Sequence, residues 1–530
     1  MKKKMLAVLL TATMALSMTA CGSSQTTETT TAAAETTAAS VEQATTAAAE
    51  TTAAAAEVTY QEDVVVGMST SVTAIDIHET ATTGIFYLVE MTHDKLMTVD
   101  SLTHEFSPAL ASEWEWISDT ELKLKLREDA VFHNGEKFTA DDVVFTFDRI
   151  KAHEGSTAAT KAAALDSIEV VNDYEIIMKL KEVNVDWLDI LAYNTCIIMN
   201  REAVEADNVN GPACGTGPWV LNEYVANDYT TVKVNENYWG EVPTAKNLKL
   251  TYIPEDASRL VALETGEIDV AMNISDTDIE YVKNNENLEY VGISVGTCNY
   301  LAFDSSEAPG DNQDLRLAFA YGLDKQEIID IAKMGLGEVA VSNWGKYTYG
   351  LDADMEDYGY NPEKAKEHLA ASGISEITIS CRSNFADVAT VIQDQMSEIG
   401  LTVNINEVEA AALTAMSKYA VHEHEAMLYN YGWGVFGDDC RSPFYKDSNV
   451  NKARIYNEEI MELVDSAKEE FDETKRIEMY HKIQAINHEQ AYYIPLYYSA
   501  SKMATKDDVD GINWDPIGMY DFSYIRVPVK

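Results

Sequence analysis

The chain has 530 residues and a formal net charge of −49, from 88 acidic against 39 basic side chains. Such a surface lacks the basic footprint that phosphate binding needs, so nucleic acid is excluded as a partner, and the spread of acids along the chain reads as a solvated surface. The body over 58–530 is too long for one ordinary core, so two or three domains are expected.

At the N-terminus Lys2, Lys3 and Lys4 precede an apolar run from Met5 to Ala20, and Cys21 follows. This reads as an export signal over residues 1–20, since the run is shorter than the ~20 residues a membrane span needs. "MTAC" is similar to a bacterial lipobox, with Met18 where that pattern usually has leucine, so Cys21 is expected to be the lipidated first residue of the mature chain; a secreted protein with an incidental cysteine is the alternative. Residues 22–57 are almost all Thr, Ala, Ser and Glu and cannot bury enough apolar area to fold. The segment 21–57 is therefore expected to be a disordered tether, reaching on the order of 30 Å at roughly 5–6 Å × √n.

Past the tether, "VTYQEDVVVGMST" (58–70) predicts a first buried strand. "ELKLKLREDAVFHNGEKF" (121–138) predicts a strand and a turn at Asn134-Gly135, followed by a helix whose N-cap is Thr139, with Asp142 completing a capping box. "GTGPWVLNEYVANDYTTVKVNENYWG" (215–240) predicts two antiparallel strands joined near Ala226-Asn227-Asp228. Residues 255–272 read as a helix stopped by Gly266 and then a short strand; 314–332 read as helical; 360–373 as a helix with Asn361 as cap, Pro362 at N1 and Gly373 as stop. Strands at 376–381 and 401–409 flank a helix at 385–399, and a charged helical stretch over 451–488 leads into the aromatic strand "AYYIPLYYSA" (491–500). The class is mixed α/β. Cys196, Cys214, Cys298, Cys381 and Cys440 share no CxxC spacing, which argues against structural zinc and allows at most two disulfides, of unknown pairing.

"REDAVFHNGEKFTADDVVFTFDRI", "GTGPWVLNEYVANDYTTVKVNENYWG", "DLRLAFAYGLDKQEII" and "YNPEKAKEHLAASG" resemble, in this order, the motifs of family 5 solute-binding proteins, the oligopeptide-, dipeptide- and nickel-type receptors of bacterial ABC importers. The resemblance covers nearly all of 58–525. It implies a periplasmic-binding-protein-like type II α/β fold with two main lobes and an inserted third, closing by a hinge. Domain I would comprise 58–95, 195–300 and 500–530, domain II 96–194 and domain III 301–499, with the solute between I and III. Within the motifs Gly135 and Gly217 are read as turn residues, and Trp219, Tyr238 and Trp239 as core.

Several patterns suggest chemistry. "GISVG" (292–296) matches G-x-S-x-G around Ser294, but the following "TCNYLAFD" reads as extended where a nucleophile elbow needs a helix. His422 and His424 in "HEHEA" read as a solvated edge, since no HExxH spacing exists. In "LYNYGWGVFGDDCRSPFY" (428–445), Asp438 and Asp439 are adjacent. On an extended chain they would point to opposite faces, a poor arrangement for the convergent carboxylates of a glycosidase. A ligand clamp is the better reading. Family members that bind peptides carry, three residues past this tryptophan, an aspartate that pairs with the peptide amino group; here that position is Phe436.

The reading is thus a lipid-anchored, monomeric receptor on the outer face of the cytoplasmic membrane that delivers a short peptide to ABC permease subunits, without cofactor, metal or catalysis. Trp433 and Tyr431 are the expected walls, Asp438 and Asp439 the anchors for a cationic end and Arg441 for an anionic one, with Phe86, Tyr87, Asn299 and Tyr300 as further contacts. A non-peptide solute (sugar, opine or metal chelate) stays open, and a secreted hydrolase is the rival from another class.

Overall fold

The computed structural model describes residues 58–100, 102–418, 421, 423–432, 437–446, 448–515 and 518–529. The expected export signal, Cys21 and the tether lie outside them, as do His422, Trp433 and Phe436; of Asp438 and Asp439 only the backbone is described. No described helix is long and apolar enough to cross a membrane.

An eleven-stranded sheet organises the body. In spatial order it runs Thr402–Glu407, Glu376–Cys381, Ala426–Gly432, Leu288–Phe303, Tyr493–Lys506, Val270–Met272, Asp63–Met68, Asn247–Tyr252, Tyr229–Val234 and Trp219–Val225, with Glu338–Val339 pairing separately on Tyr493–Lys506. Among the described residues, only the pairing of the two long central strands joins the halves of this sheet. Leu288–Ser294 pairs with Lys506–Ala500 in one half, and Cys298–Ala302 pairs with Tyr498–Tyr493 in the other. Between them the register shifts at Ser294/Cys298 and again at Asn299/Tyr300. Extra residues in one strand of a pair bend it and disrupt the ladder, so the sheet is irregular where its halves meet.

Each half buries its own apolar groups. Val66, Leu248, Val270, Trp219 and Phe522 pack on the first. In the second, Leu301, Phe303, Ile377, Ile392 and Leu428 fill one face, and Cys298, Tyr300, Trp344, Tyr480 and Tyr493 fill the other. A separate four-stranded sheet, ordered Ala111–Ser118, Glu121–Leu126, Glu175–Leu180, Leu165–Asn172, has a third core. Its origin is the alternation of "ELKLKL": Leu122 and Leu124 are fully buried, at about 1.5–3 kcal/mol each, against Phe147 and Ile150 of the helix Ala140–Ala152. That helix begins with the expected capping box, Thr139 N–H donating to Asp142 Oδ2 at 3.0 Å.

Other expectations need correction. The stretch 314–332 is two helices, Gln313–Gly322 and Lys325–Ala332, because Asp324 caps the second by accepting from Glu327 N–H at 3.1 Å. Likewise 451–488 is Glu458–Glu469 and Glu473–Gln490, the latter capped by Asp472, with no helix before Glu458. Gly217 serves close approach rather than a turn: a Cβ there would lie 2.5 Å from the Thr92 carbonyl carbon. Trp219 is core as expected, and Trp239 packs half-buried on the core of the four-stranded unit; half-buried Tyr238 and Trp239 also donate to Asp94 at 3.0 and 2.7 Å. All five cysteines beyond Cys21 are free thiols, four of them buried.

Candidate functional site

The strand Ala426–Gly432 lies beside Leu288–Phe303, with Tyr429 opposite Tyr300, Asn430 opposite Asn299 and Tyr431 opposite Cys298. Side chains alternate across a strand, so this register sorts the candidates by face. Tyr429 and Tyr431 pack, half-buried, against the core containing Cys298 and Tyr300. Asn299 and Asn430 share the opposite face, at the end of the core built on Leu301 and Leu428. Asn299 is 3% exposed and its Nδ2 donates to Tyr497 O at 3.1 Å and Ser499 Oγ at 2.8 Å. Its amide therefore ties the two central strands together beside the register shift.

A cation completes this polar end. Arg382 follows the parallel strand Glu376–Cys381 directly, and its guanidinium donates to Asn430 Oδ1 at 2.7 Å. It lies 5.4 Å from the Tyr429 ring and 5.7 Å from the Phe385 ring. Its Nε–H is buried without a hydrogen-bond partner, and no carboxylate pairs with it among the described residues. A half-buried arginine with an unused donor is suited to a carboxylate or other planar anion. The sequence reading missed it. The available signal was a charged residue at the carboxyl end of a buried strand, where open α/β sheets place ligand groups.

Arg441 lies in a different environment. Residues Gly437–Arg441 form a helical turn, so Asp438 and Asp439 are not on an extended chain and the opposite-faces argument does not apply to them. Arg441 is 1% exposed and forms an ion pair with Asp186, while donating to Tyr445 Oη and Tyr480 Oη at 3.2 Å. Burial opposes its charge most strongly, but Asp186 together with Tyr480 and Tyr445 more than offsets that and holds its pKa well above the ordinary value. A solute anion would have to displace Asp186. Beside it Gly437 N–H donates to Asp189 Oδ2 at 3.0 Å, and a Cβ at Gly437 would come within 2.3 Å of Asp186 Oδ1. Neither acid had a local sequence signal, since both belong to the one-turn helix Trp187–Leu191 and its cap.

The other expected contacts are spread through the cores. Tyr300 is 2% exposed with its ring edge-on to Tyr493 at 5.0 Å, and burial raises its pKa far above the usual value. Tyr87 packs against Phe522 at 6.1 Å, and half-buried Phe86 packs on Ile77, Ile85 and Val89. Ser294 lies within a continuous strand, which no nucleophile elbow allows. His424 is buried rather than solvated; Nε2 lies 3.3 Å from Lys452 O, and desolvation lowers its pKa. Among the described residues no three His, Cys, Asp or Glu side chains are arranged to hold a metal ion.

A family profile described as "Bacterial extracellular solute-binding proteins, family 5 Middle" matches residues 105–452, more than half of the chain. Heme-binding protein A of Haemophilus influenzae is 28% identical over 481 residues, covering 82% of this chain and 86% of that protein. Di/tripeptide-binding protein 2 of Pseudomonas aeruginosa is 26% identical over 464 residues, covering 79% and 86%. The solved structure of the ABC transporter substrate-binding protein CtaP of Listeria monocytogenes aligns with a TM-score of 0.80 at 21% identity, over 88% of this chain and 99% of that one. The fold expected from the motifs, that of type II periplasmic binding proteins, is the one found.

Proposed function

The chain belongs to family 5 of the bacterial extracellular solute-binding proteins, and from that premise we propose that it captures a short peptide between the two halves of its long sheet and passes it to an ABC permease. The family consists of binding proteins rather than enzymes, and the solute leaves unchanged. Two main lobes, 58–95 with 195–300 and 500–530, and 301–499, rotate about the central strands; the inserted unit is 96–194. The observation that carries this reading is the joining of the halves by only two strands, both irregular at the junction, with the unused donor of Arg382 beside it. Ligand sites at such domain junctions close to water by hinge motion.

Tyr431 and Trp433 wall the solute, Asp438 or Asp439 takes its cationic end, and Arg382, rather than Arg441, takes its carboxylate. Lipid on Cys21 keeps a monomeric body at the outer face of the membrane. Native mass spectrometry of freshly purified protein should show a co-purified peptide. Calorimetry should then separate Asp438→Asn from Asp439→Asn, one losing about 30-fold or more in affinity and the other nearly neutral. Wild-type binding by both, and by Trp433→Ala, would remove this loop from the site. Cys21→Ser should move the protein from the membrane fraction to the medium.

A second reading keeps the receptor and changes the solute to a metal chelate. It is favoured by the relative named for haem, which is as similar to this chain as the one named for peptides. A co-purified chelate in the same spectrum would select it.

A further inference from the structure

We infer that the four-stranded-sheet unit over 96–194 is a latch for the solute loop, in which Asp186 and Asp189 act as positioning residues that hold the turn 437–441 and thereby set the rate of solute release. The inference rests on the solute-binding reading above. The two partners are distant in sequence, 248 positions apart for Asp189 and Gly437, so the contact exists only through tertiary placement.

Three layers of contact meet here. At the centre are the Gly437 N–H to Asp189 bond and the Arg441–Asp186 pair, with both acids no more than 4% exposed. Behind them His104 Nε2 meets Asp189 Oδ1 at 2.9 Å, and the His104 ring stacks on Tyr349 at 4.0 Å. Tyr349 Oη accepts in turn from Arg476 at 2.9 Å. At the rim Val185 N–H donates to Lys468 O at 3.0 Å, Lys468 pairs with Glu182, and Trp116 lies edge-on to Phe471 at 5.6 Å.

Chain connectivity gives this contact its function. Both ends of the 96–194 unit run into segments of the first half of the sheet, whereas residues 349, 437–441, 468 and 471 all belong to the stretch built on the second half. Any rotation of one half against the other about the central strands must make or break the contact. Buried ion pairs roughly balance attraction against desolvation, so opening, which rehydrates two carboxylates and a guanidinium, is not prohibitively costly. An element so balanced can be biased by a solute that binds the closed form better. Because the turn it grips carries Asp438 and Asp439, the latch acts on the proposed solute contacts.

The test uses the full-length protein and three variants. Glu182→Lys/Phe471→Ser breaks only the rim and leaves no buried charge unpaired. Asp189→Ala removes the acceptor of Gly437 N–H, and Asp189→Asn restores an acceptor there. Hydrogen exchange without added solute should rise about tenfold over residues 437–445 in the rim and Asp189→Ala variants, while strands 121–126 and 175–180 keep their protection. Release of a fluorescent tripeptide in stopped flow should quicken about fivefold with association unchanged, and Asp189→Asn should recover most of both effects. Wild-type exchange in Asp189→Ala, or exchange raised equally throughout the chain, overturns the latch even if the peptide still binds. If wild type binds no tripeptide, the peptide reading fails, and the exchange arm still decides the latch.

Discussion

Arg382 directly follows the strand Glu376–Cys381 and Arg441 ends the helical turn Gly437–Arg441, both in the stretch built on the second half of the sheet, yet their surroundings differ sharply. Arg441 is sealed in, with Asp186, Tyr445 and Tyr480 taking its donors. Arg382 is half-buried, bonded to one neutral amide, and retains a buried N–H without a partner. A cation whose charge is already compensated contributes to position, and one left uncompensated beside a lobe junction is available to a ligand. Residue type and loop composition pointed to Arg441 as the anion receptor, and the partners are the ground for proposing Arg382 instead.

The contrast is most sharply broken by mutating the sealed pair. Asp186→Asn should destabilise the protein by about 3–5 kcal/mol in urea, because Arg441 would stay buried without its counter-charge. Adding Arg441→Gln should recover part of that loss, and a single variant as stable as wild type would mean that Arg441 is not sealed.

Between the two arginines in character lies Lys452, 5% exposed, donating to Ser417 Oγ at 2.8 Å and 4.7 Å from the Tyr429 ring. Burial, reinforced by Arg454, lowers its pKa to about 8. The unfolded side chain keeps its proton to about pH 10.4. Between the two values the unfolded state binds more protons, so this group makes stability rise with pH over that window. Relative to Lys452→Met, wild type should gain at most about 3 kcal/mol between pH 8 and 10.5. A constant difference across that range would place the lysine in water.

Arg382→Ala should leave stability nearly unchanged and weaken binding of peptides with a free carboxylate by about 2 kcal/mol, roughly 30-fold, with no effect on amidated ones. Equal losses for both would assign Arg382 to packing. Asn299→Ala should cost about 1 kcal/mol of stability, through the lost bonds to Tyr497 O and Ser499 Oγ; a larger change in peptide release than in stability would bring Asn299 into the binding machinery.

Local signals made much of the fold legible. Asn361 accepts from Lys364 N–H at 3.0 Å, and Gly373 ends that helix at φ +67°. Gly135 and Asn227 take the positive φ that their turns require. Reading failed where a polar residue restarts a helix inside an apolar pattern, as Asp324 and Asp472 do, because the apolar pattern survives a break of two or three residues. The site was less legible than the fold for a related reason. Asp186, Asp189 and His104 act on residues far away in the chain, and a one-turn helix is too short to carry a pattern. The aromatic composition drew attention to 428–445, but the side chains of Leu428 to Tyr431 divide between two faces of the sheet, which only the register with Leu288–Phe303 reveals.

That none of the five cysteines beyond Cys21 is in a disulfide has a consequence for manufacture of the protein rather than for its work. With no cross-link among the described residues, the folded body gains nothing from an oxidising compartment, and reductant should leave its melting temperature where it is. The hazard falls instead on the chain before it folds, when Cys196, Cys298, Cys381 and Cys440 are still open to attack and any bond between them would be a wrong one. Collapse into the native cores encloses these four sulfurs, so it is burial on folding that takes them out of reach of oxidants.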